Sequence, residues 1–187
     1  MTGTLFTSVY NRFLEKITDD MYVEFTIEDT IKDLQNLLID SIPGFEFPRK
    51  NLYDYTIETK VVKQNETESG DFIIGILWEE LQDENQIPDV IIEHSSFSAL
   101  LDSEEINILA LLMKQAWIQR QVASIENTRL KYTGSDFKMT SQANHLAKLL
   151  NLLEEAQRES FHMQRLYKRR KLSDKDGTYK STWSMFK

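Results

Sequence analysis

Residues 102–131 read DSEEINILALLMKQAWIQRQVASIENTRLK, and this stretch decides the fold that we predict. It opens with Asp102, followed three positions later by Glu105, which is the capping-box pattern of a helix start. Apolar residues then recur every three or four positions, at Ile106, Leu109, Ala110, Met113, Ala116, Trp117 and Ile125. This spacing places them on one side of a helix, so we predict a long amphipathic helix here.

A second long helix is predicted from Thr140 and Ser141, either of which can cap it. Its apolar residues recur at similar spacing, at Leu146, Leu149, Leu150, Leu153, Ala156, Phe161 and Leu166. Gly134 in the short polar connection suits the left-handed residue that ends many helices. A short connection between long helices favours antiparallel packing, so the pair is predicted to form a helical hairpin.

The predicted fold class is therefore mainly α: a helical bundle built on this hairpin, with a small β insertion and an extended C-terminal arm. We expect one helical domain over residues 1–171 and the arm over residues 172–187. Two shorter helices precede the hairpin, one over residues 4–17 and one that begins at Thr26 and ends before Pro43 and Gly44. Between them and the hairpin, the aromatic residues of 45–55 either cover an edge of the core or form a contact surface for another chain.

The β insertion is predicted over residues 56–101. Residues 56–62 alternate and are rich in β-branched side chains, which is typical of a strand. Residues 72–78 and 90–93 are two further apolar candidates, with Gly75 as a possible bulge.

Composition narrows the class of protein. The 187 residues suffice for one domain with a substantial core, and they include no cysteine, which excludes disulfides, thiolate nucleophiles and sulfur-ligated metals. No apolar run has the length of a membrane span, and the first residues lack the layout of a secretion signal. We therefore expect a soluble protein that is made in the cytosol and does not engage a membrane.

The sequence offers no recognisable catalytic, cofactor or metal site. His94, His145 and His162 do not form a metal-ligand pair of known spacing, and with six glycines there is no phosphate-binding loop. The acidic pair Glu104 and Glu105 is assigned to the positive end of a helix dipole. We therefore expect a protein without enzymatic activity.

Charge is divided unevenly along the chain. From Arg158 onward there are nine Lys or Arg and three Asp or Glu, a charge of +6. Because the net charge of the whole chain is −8, the preceding 157 residues carry a charge of −14. The main basic cluster is Lys168, Arg169, Arg170 and Lys171. It is a solvated helix end, a salt-bridge partner for a neighbouring subunit, or a contact for nucleic-acid phosphates.

The tail beyond this cluster has no regular apolar period, yet it carries Tyr179, Trp183, Met185 and Phe186. Such side chains are costly to leave in water, so we predict that the tail docks on a partner. The predicted partner-binding residues are these four together with the basic cluster.

The order of these parts resembles head–tail connector (adaptor or neck) proteins of tailed bacteriophages. The residues that carry the likeness are 104–110, 117–132, 134–137, 140–146 and 165–171, together with 11–29 and 42–48. The resemblance implies a small, mainly helical virion protein that forms a ring, usually of twelve copies, under the portal. Its tail would reach into the portal protein or a neighbouring neck or tail protein, and DNA would pass through the channel without sequence-specific binding. Segment 56–101 departs from this pattern.

Two other functions stay open on the sequence alone. One is a tail or baseplate component of the virion, which would differ from a connector in its location and copy number. The other is a nucleic-acid-binding regulator that contacts DNA through the basic residues between Arg158 and Lys171.

Overall fold

The protein is described by a computed structural model that covers residues 3–17, 22, 25–68, 70–77, 87–131, 140–172 and 179–181. Residues 128–131, 140–143, 171–172 and 179–181 are described by their backbone alone. Four α-helices lie in these ranges: α1 (Phe6–Leu14), α2 (Ile27–Ser41), α3 (Ser103–Lys131) and α4 (Thr140–Arg169). No helix in the described part of the chain combines the length and apolarity that crossing a membrane requires.

The helix ends follow the local sequence. Thr26 caps α2 by accepting a hydrogen bond from the Asp29 backbone N–H at 3.1 Å. The start of α3 is closed by Glu105, whose carboxylate accepts from the Asp102 backbone N–H at 2.8 Å. Pro43 lies in a single 3₁₀ turn, Ile42–Gly44, that ends α2 and leads into the aromatic connection.

The strands in the described ranges form two three-stranded antiparallel sheets and one strand pair. The first sheet has the order β1 (Thr4–Leu5), β6 (Ser96–Phe97), β2 (Tyr55–Thr56). The second has the order β3 (Thr59–Lys63), β5 (Asp89–Glu93), β4 (Ile73–Leu77), with a register shift between Ile73 and Gly75. These three strands confirm the strands predicted at 56–62, 72–78 and 90–93. The strand pair joins β7 (Arg170–Leu172) to β8 (Tyr179–Ser181).

The predicted fold class is wrong: the protein is mixed α/β rather than a mainly α bundle built on a helical hairpin. The two long helices do pack against each other, but they do not make the core alone. Phe97 of β6 is fully buried beside Phe6 of α1, with ring centroids 4.6 Å apart. The short sheet therefore belongs to the central core, and sequence periodicity within α3 and α4 could not reveal that contribution.

The first half of α3 is a second reason why the predicted fold class is wrong. Six consecutive residues there are buried, Ile108 to Met113, so α3 is covered on more than one side. It packs against α1, α2 and α4. The sequence pattern predicts a one-sided stripe, whereas α3 is the central element of the domain.

The core-facing side of α4 also differs from the prediction. Leu149 and Ala156 are buried as expected, but Leu150 is 43% exposed and Phe161 is 50% exposed. The buried side continues instead through Ser160, Gln164 and Tyr167. Polar residues therefore lie on the buried side of α4, where the hydrophobic pattern predicts apolar ones.

Candidate assembly surfaces

The basic residues at the end of α4 are largely engaged with their own chain. Lys168 lies over the ring of Phe47, with its Nζ 3.8 Å from the ring centroid. Arg170 forms an ion pair with Glu104 in the first turn of α3. Arg169 is exposed. Two of the four predicted cluster residues are therefore held by intramolecular contacts.

The remaining predicted partner-binding residues are described partly or not at all. In the strand pair, Lys171 of β7 is paired with Lys180 and Tyr179 of β8 is paired with Leu172, and the side chains of Lys171 and Tyr179 lie outside the described part. Trp183, Met185 and Phe186 lie outside the described residues. Their role in docking, and the extended arm over residues 172–187, stay predictions.

A buried polar network fixes the end of α4 to the start of α3. Glu105 is buried, and its carboxylate accepts hydrogen bonds from the Tyr167 hydroxyl and from Lys50 Nζ, the latter at 2.9 Å. Burial, and then the hydrogen bond to Glu105, raise the pKa of Tyr167 above its ordinary range. Glu105 therefore does more than complement a helix dipole: it is the shared acceptor that joins three segments.

Arg49 and Gln164 complete this attachment. Arg49 Nη2 donates to the Tyr167 carbonyl at 2.7 Å, and its guanidinium lies 4.2 Å from the centroid of the Tyr167 ring. Gln164 accepts from the Glu46 backbone N–H at 2.8 Å and donates to the Gly44 carbonyl at 3.2 Å. Sequence reasoning missed both residues, although a Gln within an apolar helical stripe is a signal for a buried hydrogen-bonding position.

One unpartnered surface lies on α4, and we call Leu150, Phe161 and Arg165 the α4 face. Phe161 lies eleven positions after Leu150, which is close to three helical turns, and Arg165 follows Phe161 by about one turn. Both apolar side chains are about half exposed, and Arg165 is exposed. These exposed apolar side chains, at two levels of one side of the helix, are candidate contact positions.

A second surface lies on the sheet β3–β5–β4, and we call Ile57, Val61 and Ile91 the sheet face. Val61 pairs directly with Ile91, and Thr59 pairs with Glu93, so these four side chains share one side of the sheet. Ile57 precedes β3, and it and Val61 are each 55% exposed.

A groove of roughly 340 Å³ opens between the sheet face and α2. Its lining includes Ile31 and Gln35 from α2, Ile57, Ile74 and Ile91 from the sheet side, and Glu93. Glu28 and Lys32 stand at the same groove and pair with each other at 2.7 Å. The groove is thus lined by four isoleucines and five polar or charged residues, and of its two carboxylates Glu93 is the buried one.

These two surfaces belong to different layers of the domain. Helix α4 packs on α3, α3 packs on α2, and α2 packs on strand β4 of the sheet. The α4 face and the sheet face are therefore separate surfaces that a partner could engage independently.

A cavity of roughly 500 Å³ lies between α2, α3 and α4. Arg120 and Asp33 line it and form a two-contact ion pair, with N–O distances of 2.6 and 3.2 Å. The Trp117 indole Nε1 is buried without a hydrogen-bond partner among the described residues. The ion pair of Arg120 and Asp33 connects α2 to α3. Within the described ranges, no group of three or more His, Asp or Glu side chains is arranged to hold a metal ion.

Comparisons with protein-family models, with curated proteins and with solved structures found no match to this chain.

Proposed function

We propose that this protein is a structural virion subunit of a ring-shaped head–tail connector, which joins the portal to the tail and passes DNA. The sequence resemblance supplies the identity of the assembly. The observation that carries the proposal of assembly is the pair of exposed apolar surfaces, the α4 face and the sheet face, on separate layers of one domain.

A closed ring requires two different surfaces on every subunit. In a head-to-tail contact, one surface of each copy binds the other surface of the next copy, and the series closes when the rotation per step allows it. We propose that the α4 face of one subunit packs on the sheet face of its neighbour. Burial of Phe161 against Ile57 and Val61 would remove apolar area from water and drive the contact.

The charge distribution supports the same role. The acidic body, which carries −14 before Arg158, would repel DNA phosphates from a channel wall and let DNA pass without adhering. The tail of the chain, together with the exposed Arg169, would contact the portal or a further neck or tail protein.

The experiment is a complementation of two interface variants, Phe161→Glu on the α4 face and Val61→Glu on the sheet face. Both side chains are more than one third exposed, so the variants should fold. In a head-to-tail assembly each variant alone is monomeric, because every contact then includes one damaged surface. An equal mixture forms dimers and nothing larger, because one intact α4 face meets one intact sheet face.

Matched controls are Asn144→Glu, an exposed position of α4 six residues before Leu150, and Asn65→Glu beyond β3. Both should assemble as the wild type does. Wild-type protein that stays monomeric, or interface variants that assemble normally, would contradict the proposal.

The two alternatives have tests of their own. Salt-dependent DNA binding by the isolated protein would favour the regulator, whereas Lys168 on Phe47 and Arg170 on Glu104 leave that alternative fewer available cations. Labelling of assembled particles distinguishes a neck from a baseplate position.

A further inference from the structure

Glu93 is a buried carboxylate that lacks a positive partner. It is 1% exposed, and its two oxygens accept from the Gln35 side-chain amide at 2.9 and 3.1 Å. Among the described residues, no Lys, Arg or His nitrogen lies within ion-pair distance of it. A buried carboxylate with only a neutral amide donor is poorly compensated for its lost hydration.

Tyr10 is a second buried polar residue near Glu93. The fully buried Tyr10 has its pKa raised mainly by burial and further by the negative charge of Glu93. The Tyr10 hydroxyl has no hydrogen-bond partner in the described part of the chain. Glu93 therefore lies near a second buried polar side chain, that of Tyr10.

Glu93 also lines the groove between α2 and the sheet face. Four of its nine lining residues are isoleucines, Ile31, Ile57, Ile74 and Ile91, and they form its apolar walls. Lys32, a cation in the lining, is already paired with Glu28, and both side chains are mostly exposed. Apolar walls that lead to an anion suit a long cationic side chain, whose methylene groups contact the walls while its head reaches the carboxylate.

We propose that this groove is a socket for the Arg165 side chain of a second copy of this chain, with its guanidinium on Glu93. Arg165 lies on the α4 face about one turn after Phe161, and it has no hydrogen-bond or ion-pair partner among the described residues. The other arginine near this side of α4, Arg158, is paired with Glu154 at 3.1 Å. The guanidinium can address both carboxylate oxygens at once, which an ammonium group cannot.

This inference rests on the proposed assembly and names the polar contact that sets its register. When Phe161 of one copy packs against Ile57 at the groove mouth of the next, Arg165 follows it on the same helix face. The contact would explain why a carboxylate lies at the base of an isoleucine-lined groove.

The test is a double-mutant cycle on the dissociation constant of the assembly, with Glu93→Gln, Arg165→Gln and the double variant. Glu93→Gln keeps an oxygen for the Gln35 amide, and Arg165→Gln changes an exposed helical position. Each single change should weaken assembly by about tenfold or more, because it leaves one charge of a desolvated pair alone. The double variant should be no weaker than the weaker single variant, because both changes remove the same contact.

Arg169→Gln and Glu155→Gln are the matched controls, since each removes one exposed charge from α4. If Glu93→Gln does not fold, Thr59→Phe replaces it in the cycle. Thr59 is an exposed residue that lines the groove, so a phenylalanine there should fill the groove while Glu93 stays unchanged.

Additive effects, or normal assembly by Arg165→Gln, would overturn the socket while leaving the proposed assembly intact. Wild-type protein that does not assemble would overturn both.

Discussion

The Tyr167 hydroxyl donates a hydrogen bond to the Glu105 carboxylate, and this one contact joins the last turns of α4 to the first turn of α3. Both residues are only 1% exposed. Glu105 also accepts from Lys50 and from the Asp102 backbone, so the helix start, the helix end and the aromatic connection meet at one carboxylate. The basic end of the chain therefore leaves the domain from a fixed position.

Tyr167→Phe should lower the free energy of unfolding by about 1–2 kcal/mol, because a buried carboxylate loses one of its hydrogen-bond donors. Urea denaturation measures the change. Tyr53→Phe is the matched control, since Tyr53 is an exposed tyrosine in a neighbouring loop and its hydroxyl should contribute nothing measurable. Equal stabilities of Tyr167→Phe and the wild type would show that the contact does not stabilise the fold.

Tyr10→Phe should have the opposite effect. The Tyr10 hydroxyl is buried without a partner among the described residues, so its removal should leave stability unchanged or raise it by up to about 1 kcal/mol. A loss of more than about 1 kcal/mol in urea denaturation would mean that the hydroxyl is hydrogen-bonded in solution.

Tyr10 also predicts a pH dependence. Burial, and then Glu93, raise its pKa in the folded state above the value of about 10 for an unfolded chain. Above that pH the unfolded chain releases the proton while the native protein keeps it, so stability falls as the pH rises. The denaturation midpoint should therefore fall less for Tyr10→Phe than for the wild type when the pH is raised from below 10 to above 10. An identical pH dependence of the two proteins would contradict the assignment.

Leu149→Asp and Leu150→Asp form a matched pair on α4. Leu149 is 5% exposed, so an aspartate there should cost about 3 kcal/mol or more and abolish folding or nearly so. Leu150 is 43% exposed, so the same change should cost less than about 1 kcal/mol and weaken assembly instead. Circular dichroism during thermal unfolding distinguishes the two. If Leu150→Asp unfolds the protein, Leu150 belongs to the buried side of α4, as the sequence pattern predicts.

Local signals predict the elements more reliably than their arrangement. The cap at Thr26, the end of α2 at Pro43 and the three strands of 59–93 follow from short-range chemistry, and each is confirmed. Thr4–Leu5 falls within the helix predicted over 4–17 but pairs with Ser96–Phe97, more than 90 positions away. A two-residue strand has no periodicity of its own, so only its distant partner determines it.

The candidate site was harder to predict because it depends on contacts between distant segments. Arg49 and Lys50 lie in a connection whose aromatic residues dominate its sequence, yet they bind the end of α4 and the start of α3. Glu93 ends a short apolar strand, and nothing in its neighbourhood along the chain indicates burial beside Gln35. Leu150 and Phe161 fit the apolar period of α4, but pattern alone cannot say which edge of a wide stripe meets the core.

The central claim is that this domain is an assembly subunit, and the mass of the native particle tests it most directly. Native mass spectrometry of the wild-type protein should show one closed oligomer of fixed copy number, twelve if the resemblance holds. A monomer at every concentration, or an open-ended series of sizes, would contradict the account.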